Sequence, residues 1–112
     1  MAETFNNQST KLTSTSGTYV YQAPNASGNR AIVLSCLVAN VDGSSTATLT
    51  LYITSSSSTT ALSHICKTIA VPADASIELI PNKVVLTQGQ KLRAVAGTAN
   101  DLEVTVSALE IT

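Results

Sequence analysis

Residues Thr46 to Thr54 carry the clearest pattern in the chain: Ala47, Leu49, Leu51 and Ile53 alternate with Thr46, Thr48, Thr50, Tyr52 and Thr54. A period of two places one set on each side of a strand, so this segment predicts a buried face backed by a threonine ladder. Just upstream, Arg30 to Val41 is apolar on both faces, which marks a central strand covered on two sides or one that meets another subunit. Asn40 to Ser45 joins the two. Its Asp42-Gly43 step is a strong tight-turn signal, and the pair is predicted to be a hairpin.

The same reading continues downstream. Ser55 to Thr60 is a low-complexity loop, and a strand from Ala61 to Val71 stops at Pro72. Ser76 to Ile80 is a short strand with Ile77 and Leu79 inward, and Lys83 to Leu86 follows the Pro81-Asn82 turn. Gly89 is free to take positive φ in the turn Thr87 to Gln90. A last hairpin is expected to pair Lys91–Gly97 with Leu102–Ile111. In that final strand Leu102, Val104, Val106 and Ala108 share one face while Leu109 and Ile111 fall on the other, which predicts a bulge or a second contact surface. With Tyr19–Gln22 included, about eight antiparallel strands recur at sandwich spacing. The fold class is therefore all-β, a jelly-roll-like antiparallel β-sandwich over residues 18–112, with an immunoglobulin-like order as the alternative. Residues 1–17 are too polar to bury a core and read as an extended arm.

Composition adds a role for the surface. Thirty of the 112 residues are Ser or Thr, and only 12% are charged, about half the usual share. Hydroxyls keep a chain soluble yet pack against a neighbour at modest desolvation cost, as charges do not. The net charge of −1 gives no footprint for nucleic acid or anionic lipid. The first residues lack the apolar stretch of a secretory signal, and no run approaches the length of a membrane span. The expected setting is a reducing cytoplasm, in which Cys36 and Cys66 stay free thiols. A Cys36–Cys66 disulfide is the alternative and requires neighbouring strands.

Candidate chemistry is sparse. His64 and Cys66 are two apart on a strand and so share a face, with Cys36 as a third potential zinc ligand, but no Cys-x-x-Cys pair or fourth ligand supports a metal site. Both cysteines lie in apolar strands, where a nucleophilic thiolate is disfavoured. Asp42, Asp74 and Asp101 occupy turns and would suit calcium only if those turns met. No catalytic residue, metal or cofactor is expected. Tyr19, Tyr21 and Tyr52 form a possible sugar-stacking platform, so a glycan-binding module that aids attachment to a host surface is the alternative function.

Four segments carry a family resemblance: Ile32 to Gly43 (ending Asn-Val-Asp-Gly), Val71 to Leu79 (opening Val-Pro-Ala), Val85 to Ala96, and Leu102 to Thr112 (ending Leu-Glu-Ile-Thr). Together they resemble a group of small tailed-bacteriophage and prophage virion proteins over residues 18–112. Gln90 stands where an acidic residue is commoner in that pattern. The resemblance implies a non-enzymatic virion protein, assembled in the host cytoplasm, that decorates or cements a capsid, neck or tail lattice. Its partners would be itself, as a homo-oligomer, and other virion proteins such as the major capsid or neck and tail proteins. The residues expected at such interfaces are Phe5 and Leu12 in the arm, Tyr19 and Tyr21, and the surplus apolar positions Ile32, Leu34, Leu37, Leu109 and Ile111.

Overall fold

A computed structural model describes residues 2–112. Nine strands form among the described residues, in chain order: β1 (Glu3–Leu12), β2 (Thr18–Gln22), β3 (Arg30–Asn40), β4 (Ala47–Thr54), β5 (Ser63–Val71), β6 (Ser76–Glu78), β7 (Val84–Leu86), β8 (Lys91–Ala96) and β9 (Leu102–Ile111). No helix among the described residues is long and apolar enough to cross a membrane.

The strands pair as a nest: β4 with β5, β3 with β6 and β7, β2 with β8, and β1 with β9, all antiparallel. This long folded ribbon rolls over on itself, so that β9 also pairs β3 and β8 also pairs β4. The result is two sheets, β1-β9-β3 with β6 and β7 both at the far edge, facing β2-β8-β4-β5. That is a jelly roll, with β6 and β7 sharing one strand position, and not the immunoglobulin order.

Rolling corrects two pairings expected from sequence. β3 and β4 are not a hairpin, and neither are β8 and β9, because each pair is split between the two sheets. The turns between them arch over one end of the sandwich. Asn40 explains how: its buried amide donates to the Ser45 and Val71 carbonyls at 2.9 Å each and accepts from the Asp42 N–H, tying the β3–β4 connection to the end of β5. Asn100, at φ 70°, donates its N–H to the Leu12 carbonyl, and Val41 donates to Asp101. β4–β5 is the hairpin that joins successive strands within one sheet.

The core between the sheets is thin and aliphatic, built from Val33, Val38, Leu49, Leu51, Leu92, Leu102, Val104 and Val106 among others. Small branched residues suit two layers about 10 Å apart. Within the expected arm, 1–17, residues 3–12 form β1, which joins the larger sheet in unbroken register with β9 from Glu3↔Ile111 to Leu12↔Leu102, while residues 14–16 bend. β1 nonetheless overhangs the smaller sheet. Thr4, Asn6 and Gln8, on its inner face, are exposed, and only Leu12 at its end enters the core.

Candidate assembly surface

The outer face of the larger sheet follows from register. Residues opposed across a ladder share a face, so the pairings Phe5↔Leu109, Leu109↔Ile32 and Ile32↔Val85 make one apolar row across β1, β9, β3 and β7. Phe5 is 77% exposed and Val85 54%. Leu109 and Ile32, hemmed by neighbours in the row, are half-buried.

Leu34 joins the row through a β-bulge. The β3–β9 register shifts between Val33 and Ser35, which leaves Leu34 as the extra residue. It lines a shallow depression of about 440 Å³ with Phe5, Asn7 and Ser107. Ile111 lies on the same side, opposite Glu3 and Arg30. Leu37, 41% exposed, stands opposite Thr105 and Glu78 further along β3. β9 itself keeps its alternation, so Leu109 and Ile111 do mark a second surface and the bulge sits on its partner strand. Glu110 faces the inner side and accepts the Tyr21 hydroxyl at 2.6 Å, with Asn6 donating to the same oxygen.

Six of the expected interface residues thus gather on or beside one face: Phe5, Ile32, Leu34, Leu37, Leu109 and Ile111. Leu12 and Tyr21 do not. Both are core residues, 1% and 2% exposed, and are unavailable to a partner. Tyr21 is turned inward by a bulge at Val20, which puts Val20 and Tyr21 both inside and separates Tyr21 from Tyr19. Burial, then the Glu110 carboxylate beside it, push the Tyr21 phenol well above its usual range. Val85 was missed from sequence, although Val84 and Leu86 facing inward require it to point out.

The sugar platform does not form. Tyr52 is 8% exposed, its hydroxyl bound by Arg93 at 2.9 Å, and the half-buried Tyr19 ring lies 4.3 Å from the Lys91 ammonium. His64 and Cys66 part company because the β4–β5 register slips: His64 pairs with Tyr52 outside, its ring 5.3 Å away, and Cys66 with Leu51 inside. Cys36 and Cys66 are free thiols. Burial, followed by the nearby Glu78 carboxylate, pushes Cys36 up to about 12, and burial raises Cys66 as well. A thiolate nucleophile is therefore suppressed at neutral pH.

The Asp42, Asp74 and Asp101 turns do meet at one end, linked by Asp74 N–H to Asp42 carbonyl and Val41 N–H to Asp101 carbonyl. The Asp42 carboxylate is engaged locally, accepting both the N–H and hydroxyl of Ser44 at 3.0 Å, bonds that hold it below its usual range. No group of three His, Cys, Asp or Glu among the described residues is placed to hold a metal. Glu78 is exposed, yet its carboxylate accepts the Cys36 and Ile80 N–H groups at 2.8 Å and fills the break between β6 and β7.

No protein-family model matches the sequence, and no curated protein matches it significantly. Solved structures do share the fold. The acid-stable capsid of Helicobacter pylori bacteriophage KHP30 contains a chain matched with a TM-score of 0.57 at 13% identity, over 100% of this chain and 89% of that one. A chain from the disulfide-linked pili that form Bacillus endospore appendages is matched with a TM-score of 0.54, also at 13% identity, over 99% of this chain and 87% of that one. The class is thus the β-sandwich jelly roll found in a phage capsid.

Proposed function

We propose that this protein is a non-enzymatic structural subunit of a bacteriophage virion. Assembled in the host cytoplasm, it docks the outer face of its larger sheet on a capsid, neck or tail lattice as a decoration or cement protein. The observation that carries the reading is the apolar row Phe5–Leu109–Ile32–Val85. Apolar residues in register across four strands of a monomer's solvent face signal an interaction site. Covering them with a lattice protein adds binding free energy that must be overcome to open the shell or tube. The virion resemblance of residues 18–112 and the capsid fold support the setting. A disulfide-linked fibre is disfavoured, because Cys36 is buried and Cys66 faces the core.

Proteomics of purified virions from the phage that encodes the chain tests this directly. The protein is expected in many copies per particle, and purified chain should cosediment with particles lacking it. Ile32→Asp or Leu109→Asp should abolish cosedimentation. Absence from virions together with no binding to particles would overturn the reading.

A further inference from the structure

Two sheets have four edges, and three are unsuited to pairing with another chain. β2 is five residues long and bulged at Val20. β5 slips twice against β4 and holds Thr68 at φ 52°. β6 and β7 have three residues each and are separated by the Glu78 carboxylate and Pro81. Such interruptions are how soluble proteins prevent edge-to-edge association. β1 has none of them: ten residues, an unbroken register, no proline and no positive φ.

The groups on its open edge can be assigned. Ala2 and Thr112 exchange both backbone bonds at 2.9 Å, and bonded and non-bonded pairs alternate along an antiparallel ladder. Thr4, Asn6, Gln8 and Thr10 therefore bond to β9, whereas Glu3, Phe5, Asn7, Ser9 and Lys11 direct their N–H and C=O groups outward.

We propose that β1 pairs antiparallel with β1 of a second copy about a two-fold axis at Asn7. Asn7 then faces Asn7, Phe5 faces Ser9, and Glu3 faces Lys11 at both ends, so every outward backbone group gains a partner. Glu3 and Lys11 are the strand's only charges, opposite in sign and equally far from Asn7. A slip of one residue opposes outward groups to inward ones, and a slip of two loses both ion pairs. This pairing stands on strand geometry and is independent of the virion reading.

Light-scattering mass across a concentration series tests it. The wild-type chain is expected to pass from monomer to dimer. Asn7→Pro removes only an outward N–H, a position where an edge strand accepts proline, and should stay monomeric with unchanged circular dichroism. Glu3→Lys and Lys11→Glu should each weaken the dimer about three- to tenfold, as exposed pairs become repulsive. Mixing those two variants should restore wild-type affinity, since each Lys then meets a Glu. A wild-type monomer at every concentration, dimerisation of Asn7→Pro like wild type, or a mixture no tighter than its components would each overturn the pairing. None of these results bears on whether the outer face binds particles.

Discussion

Asn40 makes three hydrogen bonds from a side chain only 2% exposed, and among the described residues its amide is the side-chain donor to the Ser45 and Val71 carbonyls. Asn40→Ala strands those acceptors at the closed end of the roll and should cost about 2–4 kcal/mol. Asn40→Asp should be no better, since it turns a carboxylate oxygen toward two carbonyls. Urea unfolding should show either variant as a lower midpoint at unchanged slope. Cys36 sets a different dependence. The native thiol keeps its proton to about pH 12, whereas the unfolded chain releases it near 9, so between those limits the unfolded state binds fewer protons. Stability from this group is whole below pH 9 and falls by up to about 1.4 kcal/mol per pH unit above it. Tyr21, shifted the same way, adds to the loss above pH 10. Cys36→Ala should flatten the pH 9–10 part of the unfolding curve, and an unchanged slope would show that Cys36 titrates alike in both states.

Individual strands were legible where side chains supply the stability. The Ala47–Leu51 alternation and the Leu102–Ala108 face are imposed by a core on one side and appear in the structure as written in the sequence, whereas beyond Leu51 the outer residues Tyr52 and Thr54 are buried as well and Ile53 is half-buried. Pairing was not legible, because Asp42-Gly43 turns a chain equally well within a sheet and across the mouth of a sandwich. The choice rests on Asn40, whose partner at Val71 is remote in sequence. In the sequence β1 reads as an arm for a related reason. It is held by its backbone ladder to β9 and buries almost nothing but Leu12, so no hydrophobic alternation marks it. The apolar outer face was foreshadowed by Ile32, Leu34, Leu109 and Ile111, but its register with Phe5 and Val85 emerges only from topology. A strand held mainly by backbone bonds should open locally. In the monomeric Asn7→Pro chain, amides of Thr4, Asn6 and Gln8 should exchange with solvent orders of magnitude faster than those in the β3–β9 ladder. Equal protection would mean that β1 unfolds only with the whole sandwich.

The two-fold axis proposed at Asn7 stands perpendicular to the sheet, as for any antiparallel pair of identical strands, so both outer faces lie on the same side. Two apolar rows, each running Phe5–Leu109–Ile32–Val85, would then face a lattice together. Val85 lies at the far end of the row from β1, while Asn7 lies at the junction, which allows docking and dimerisation to be separated. Val85→Asp places a charge on an exposed position and should leave fold and dimer mass unchanged, yet remove cosedimentation with particles, because an unpaired carboxylate would be buried on docking. Asn7→Pro should retain binding but at least about tenfold more weakly, the loss expected when two linked sites become one. Measuring both variants on the same particles distinguishes the roles. Unchanged binding of Val85→Asp would remove the outer face as the docking surface, and equal binding of Asn7→Pro and wild type would mean that each copy docks alone.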